Sequence, residues 1–232
     1  MSEIDKPFLP DDFFPKEVSY VLLHPGDDVL EGLKLHTEEL ELASSLKSLV
    51  RQQDFLLGRK AAQLTLNKLG ISGSVLRGSS DEPIWPQGVL GSISHSGRFA
   101  ICAATICKTF LGIGIDIEFG GKNSDPKIAK RICTESEIDK LPEDAQDRLA
   151  KSLKIFSAKE AYYKAVFPSL KKNLGFRDVE LEWDEDNFEA RIINPKFSVE
   201  KFAVGKVSQG GYLISVCYLM SPLISHESIQ KI

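Results

Sequence analysis

Two acids stand two residues apart in Gly112-Ile-Gly-Ile-Asp-Ile-Glu118, within a run that otherwise reads as a buried strand. Side chains alternate along a strand, so Ile113, Ile115 and Ile117 face one way while Gly112, Gly114, Asp116 and Glu118 face the other. At roughly 3.3 Å rise per residue the Asp116 and Glu118 Cα atoms lie about 6.6 Å apart, near enough to converge on one cation and to repel each other without it. A second segment, Phe156-Ser-Ala-Lys-Glu-Ala-Tyr-Tyr-Lys164, adds Glu160 together with Lys159 and Lys164. Leu149, Leu153, Phe156, Glu160, Tyr163 and Phe167 recur at helical spacing, which places Glu160 in an otherwise apolar stripe. An ionised carboxylate stripped of water there is costly unless a cation or hydrogen-bond donors meet it.

Each segment alone has a plain structural explanation. Asp116 and Glu118 fit a strand end entering a polar turn, and Glu160 with Lys164 fits an i,i+4 surface pair. Together they point to a hard divalent cation. Magnesium takes oxygen ligands and is usually held by a few carboxylates, with substrate phosphates completing the shell. Asp116, Glu118 and Glu160 are therefore the candidate metal ligands, with Lys159 and Lys164 placed to meet the remaining phosphate charge. A third segment, Gly91-Ser-Ile-Ser-His-Ser-Gly-Arg98, is dense in small donors, and Ser94, His95 and Arg98 near a turn can grip an anion. Arg51, Arg59 and Lys60 read as a solvated helix face unless the ligand carries a further phosphate.

The elements that must position these residues follow from the hydrophobic pattern. A strand is expected at Tyr20–Leu23 and a helix from Thr37, with Gly58 as its interruption and Gly70 as its stop. Ser92–Ser96 and Phe99–Ile106 read as hairpin arms turning at Gly97. Leu111–Glu118 reads as a strand, and a long helix is expected from about Asp144 to Phe167, ended by Pro168. Four strands follow, at 178–183, 188–193, 202–207 and 212–219. Helices alternating with hairpin-grouped strands favour an α+β fold over a doubly wound parallel sheet. Element counting divides the chain into 1–110, carrying the histidine hairpin and basic helix, and 111–232, carrying the acidic strand and the acid-and-lysine helix.

Composition narrows the function. The 232 residues are 42% hydrophobic and 27% charged, an ordinary globular balance. A net charge of −4 argues against nucleic acid as the main partner. Four scattered cysteines with no C-x-x-C pair read as reduced thiols. The acidic N-terminus without an apolar core, and the lack of any stretch long enough to span a bilayer, lead to the expectation of a cytoplasmic protein.

With Gly91-Ser-Ile-Ser-His-Ser96, Gly114-Ile-Asp-Ile-Glu118 and Phe156–Lys164 in this order, the chain resembles the 4'-phosphopantetheinyl transferases. Its length is similar to the long, pseudodimeric class typified by the surfactin-synthetase activator. Phe55-Leu-Leu-Gly-Arg-Lys-Ala-Ala62 and Glu82-Pro-Ile-Trp-Pro-Gln-Gly-Val-Leu-Gly-Ser92 look more like the subgroup of the enterobactin synthetase component D. The resemblance spans about residues 55 to 164 and implies two similar α/β halves, each a small, mainly antiparallel sheet packed on a long helix, with the active site in the cleft between them. It implies that coenzyme A and magnesium bind there and that an apo carrier protein is the partner, the enzyme being a monomer. It further implies metal binding by Asp116, Glu118 and Glu160, and phosphate contacts from Arg51, Arg59, Ser94, His95 and Lys164. Surfactin-type enzymes tend to carry a lysine where this chain has Glu82, so no phosphate contact is expected at that position.

The implied reaction moves the phosphopantetheine arm of coenzyme A to a carrier serine and releases adenosine 3',5'-bisphosphate. Glu160 is the candidate base, directly or through a bound water, and Lys164 the electrostatic stabiliser. Two other readings share the same residues: a non-catalytic coenzyme A or carrier-binding protein, and a magnesium-dependent nuclease. The acidic balance and the lack of an interleaved basic and aromatic track count against the nuclease.

Overall fold

A computed structural model describes residues 9–24, 35–97, 99–119, 125, 127–172, 174–197, 203–209 and 212–220. Arg98 lies outside these residues. β1 (Ser19–Leu23), β5 (Phe99–Thr105) and β4 (Leu90–Ser96) form one antiparallel sheet in that order. β6 (Phe110–Phe119), β10 (Tyr212–Met220), β9 (Ala203–Gln209), β8 (Asn187–Ile192) and β7 (Val179–Asp184) form a second, all antiparallel. A two-stranded ribbon, β2 (Leu76–Arg77) with β3 (Pro83–Ile84), completes the strands described. The fold is α+β.

One helix backs each large sheet. α2 (Leu49–Lys68) buries Leu57, Ala61, Ala62 and Leu66 against Val21, Ala100 and Cys102 of the first sheet. α5 (Ala145–Leu170) buries Ile155, Ala158, Tyr162 and Val166 against Leu181, Ala190, Cys217 and Leu219 of the second. A third core fills the space between the sheets, where Phe99 and Ile101 meet Ile115, Ile117, Ile214 and Val216. Ile115 is fully buried, so Ile115→Ala should cost about 2–5 kcal/mol.

Three expectations about the helices need correction. The predicted interruption falls earlier than Gly58: α1 (Thr37–Ser45) ends at the extended Leu46 and α2 restarts after Ser48, the freed Leu46 carbonyl accepting from the Gln52 side chain. Gly58 instead lies within α2, where a Cβ would stand 3.1 Å from the Ile93 side chain; the small residue lets the helix approach β4. Pro168 lies inside α5, whose last residue is Leu170. Lacking an N–H, it forfeits only the bond to the Lys164 carbonyl, which the final turn tolerates.

The buried face of α5 is also rotated from the predicted stripe. Leu149, Leu153, Phe156, Glu160 and Tyr163 are only partly buried, whereas Ala158, Ala161, Tyr162 and Ala165 are fully buried. The cause is close approach to β6: a Cβ on Gly114 would meet the Ala161 carbonyl oxygen at 1.8 Å. Small residues on both elements let the helix lie directly on the strand and bring its next turn over Asp116. The shorter α3 (Ile128–Ile132) and α4 (Glu135–Asp139) meet α5 at Lys159, which donates to Ile132 and Glu137. Cys102, Cys107, Cys133 and Cys217 are free thiols.

Candidate active site

β4 and β6 lie side by side, and their neighbouring side chains build the site. On β4 the alternation sends Ser92, Ser94 and Ser96 toward β6, while Ile93 and His95 face α2. On β6 it sends Asp116 toward α5, where Lys164 meets it at 2.8 Å. Lys164 also donates to the Ser94 hydroxyl and to the Ile115 carbonyl, both at 3.0 Å. All three ammonium N–H bonds are thereby in use.

Asp116 is asymmetric. Its Oδ1 accepts from Lys164 and, at 3.0 Å, from Ser94, while the buried Oδ2 has no hydrogen-bond partner. Ser215, opposite Asp116 in the β6–β10 register, presents another buried oxygen without a partner. An orphaned carboxylate oxygen in the interior is expensive unless a ligand meets it.

Glu118 and Glu160 share this electrostatic neighbourhood. Burial pushes the Glu118 carboxyl up to about 7, with Asp116 adding to the shift, Lys164 opposing it and Glu160 adding to it. Burial likewise raises the Glu160 carboxyl, Lys164 opposing and Asp116 reinforcing. Such mutual repulsion marks a set of acids short of positive charge. Among the described residues, however, no three His, Cys, Asp or Glu side chains converge closely enough to form a finished metal site. The donor chemistry nonetheless fits a hard cation: the orphaned Asp116 oxygen and two carboxylates that resist ionisation are all oxygen donors.

Beside this cluster lies a groove of about 360 Å³, lined by Arg51, Arg59, Arg77 and His95 together with Phe55 and Asp81. His95 is half-exposed and its Nδ1 lies 3.9 Å from Asp54. Burial lowers its pKa, with Asp54 opposing and Lys164 reinforcing. Arg51 is exposed. Arg59 is buried, with its Nε 3.2 Å from Glu39 and its guanidinium over the Phe55 ring. Arg77, absent from the candidates the sequence offered, is brought to the groove by the β2–β3 ribbon and pairs with Asp81 at 2.5 Å. His95 joins groove to acids, being adjacent in sequence to Ser94 but on the opposite face of β4.

Lys159 does not belong to this assembly. One residue before Glu160, it is rotated onto another face of α5 and buried. Its amine donates to the Ile132 carbonyl, Glu137 Oε2 and the Phe176 carbonyl at 2.9, 2.7 and 2.9 Å. With its three donors spent away from the groove, the expected phosphate contact at Lys159 is corrected to a structural role. Glu82 pairs with Lys171 at 3.1 Å, linking the ribbon to the end of α5.

Residues 112–217 match the family model of the 4'-phosphopantetheinyl transferase superfamily, and residues 38–105 match that of the 4'-phosphopantetheinyl transferase N-terminal domain. The 4'-phosphopantetheinyl transferase Npt of Nocardia iowensis is 32% identical over 78% of this chain and 81% of its own length. The chain belongs to the 4'-phosphopantetheinyl transferase superfamily. Two further superfamily members extend the likeness. The transferase Svp of Streptomyces mobaraensis is 34% identical over 62% of this chain and 61% of its own. Enterobactin synthase component D of Escherichia coli O157:H7 is 31% identical over 64% and 70%. Among the described residues, no helix of this superfamily member is long and apolar enough to cross a membrane.

Proposed function

We propose that the protein transfers the 4'-phosphopantetheine arm of coenzyme A to a serine of an apo carrier protein, releasing adenosine 3',5'-bisphosphate. Superfamily membership supports the reaction class, and the unsatisfied acid cluster beside a basic groove supports the place. The observation that carries the placement is the buried, partnerless Oδ2 of Asp116 beside Lys164.

In this reading the two sheets belong to two folding units, 1–110 and 111–232, with coenzyme A in the cleft between them. Arg51, Arg59, Arg77 and His95 hold the nucleotide phosphates in the groove. Asp116, Glu118 and Glu160 would hold magnesium, which would supply positive charge to the diphosphate and the leaving group. Lys164, its three N–H donors spent on Asp116, Ser94 and the Ile115 carbonyl, acts on the diphosphate through its charge rather than by a direct bond. The carrier serine oxygen forms a bond to the phosphorus that bears the pantetheine arm as the bond from that phosphorus to the bridging oxygen of the diphosphate breaks, and that oxygen leaves on the 5'-phosphate of adenosine 3',5'-bisphosphate. Glu160, directly or through a bound water, accepts the serine proton. A monomer acting in the cytoplasm, without nucleic acid, completes the proposal.

The test is to incubate the protein with coenzyme A, magnesium and a panel of apo carriers, and to weigh the carriers by mass spectrometry. Addition of the arm to at least one carrier is expected. Unchanged carriers despite tight coenzyme A binding would make the protein a binding module instead.

A further inference from the structure

Ser92, Ser94 and Ser96 occupy alternate positions on β4, and their hydroxyls accept from the backbone N–H groups of Ile115, Ile117 and Phe119 at 3.0, 3.3 and 3.2 Å. Both strands advance by two residues at each rung, so they run in the same direction. Side-chain oxygens here take the place that main-chain carbonyls would take in a continuous sheet. The three rungs are alike toward the backbone and unlike toward the site. Ser94 alone also donates to Asp116 Oδ1 and accepts from Lys164.

A hydroxyl offers one donor and two lone pairs. The Ser94 donor goes to Asp116, and its lone pairs meet the Ile117 N–H and the Lys164 ammonium, so nothing is left for a phosphate. The direct side-chain contact that the resemblance implies for Ser94 is therefore already spent inside the protein.

We infer that Ser94 is a positioning residue: fixed by the β6 backbone, its hydroxyl aims the Asp116 carboxylate and holds Lys164 beside it, while Ser92 and Ser96 only join the sheets. The inference rests on the metal-binding part of the proposed function. It assigns Ser94 to the outer shell of the site, where loss of an orienting partner weakens metal affinity by about 10–100-fold.

The experiment compares the full chain with Ser92→Ala, Ser94→Ala, Ser96→Ala and Ser94→Thr. Mn²⁺ binding is measured by electron paramagnetic resonance with saturating coenzyme A and no carrier, alongside thermal unfolding and steady-state transfer. Ser92→Ala, which removes one buried rung, should lose about 2–4 °C in Tm, Ser94→Ala at least as much, and Ser96→Ala, whose rung is exposed, less. Ser94→Ala alone should weaken Mn²⁺ binding by about 10–100-fold and lower kcat with little change in KM for coenzyme A. Ser94→Thr, which keeps the hydroxyl, should recover most of the affinity. If Ser94→Ala does not fold, Ser94→Cys removes the strong donor at similar size and should show the same loss.

Unchanged Mn²⁺ affinity in a folded Ser94→Ala overturns the inference, as does an equal loss in Ser92→Ala. A raised KM with unchanged kcat would restore the direct phosphate contact and also overturn it. A wild-type chain that binds no Mn²⁺ would sink the metal reading itself, a result distinct from all of these.

Discussion

Lys159 and Lys164 lie on the same helix, and each spends three N–H donors on the protein, yet the acids they meet are treated differently. Around Lys159, both oxygens of Glu137 are used: Oε2 accepts from Lys159 and from the Thr134 backbone, and Oε1 from the Leu181 backbone. Around Lys164, Asp116 keeps one buried oxygen without a partner, and two further carboxylates resist ionisation beside it. The first region is a closed ion pair that fixes α5 against the chain around it. The second is an open one, held short of positive charge. Buried charge alone does not mark a site; buried charge left unanswered does.

The largest effect should come from the open region. Glu160→Gln should reduce transfer by about 10²–10⁴-fold with Tm within a few degrees of wild type, as read by labelled coenzyme A and thermal unfolding. Near-normal turnover would remove Glu160 from the chemistry. The closed region should respond in the opposite sense: Lys159→Met strands Glu137 and should cost about 3–5 kcal/mol in urea unfolding. Lys164→Met also strands a buried carboxylate, Asp116, but should differ in costing turnover out of proportion to its loss of stability, and equal losses of turnover in the two lysine variants would erase the contrast.

Glu118 gives the contrast a pH axis. Its carboxyl titrates near 7 when folded and near about 4.3 when unfolded, so the folded chain holds more protons across that window. The stability so gained is complete below the unfolded value and is lost as pH rises through about 7. In metal-free buffer Tm should fall by a few degrees between about pH 5 and pH 8, a slope that Glu118→Gln should flatten. Magnesium should restore more stability at the upper pH, because its ligand must shed a proton. Least affected should be the exposed bridge: Lys171→Ala breaks the pair with Glu82, and urea unfolding should change by under about 1 kcal/mol with transfer intact.

Much of this arrangement was legible in the sequence. Strand alternation placed Asp116 and the isoleucines on opposite faces, and the hairpin turning at Gly97 follows the predicted arms. The residues misread were those whose role depends on how close two elements come. Helical spacing favoured Leu149 and Leu153 as the buried face of α5, but the glycines of β6 admit the helix only where it carries Ala161 and Ala165. That rotation also sends Lys159 away from Glu160, which one-dimensional motif reading groups together. Ser94 was picked out as a donor, but its saturation by three neighbours is visible only once β4 and β6 are side by side. Arg77 had no signal beyond its charge.

The serine rungs carry a consequence for solubility. Among the described residues β6 pairs through its backbone with β10 alone, β4 covering its other side through the serine hydroxyls, and a strand side left unpaired can template pairing with another molecule. Hydroxyl oxygens already occupy its outward N–H groups at Ile115, Ile117 and Phe119. A chain stripped of all three serines would present a sticky border as well as a loosened joint, and self-association should rise with concentration.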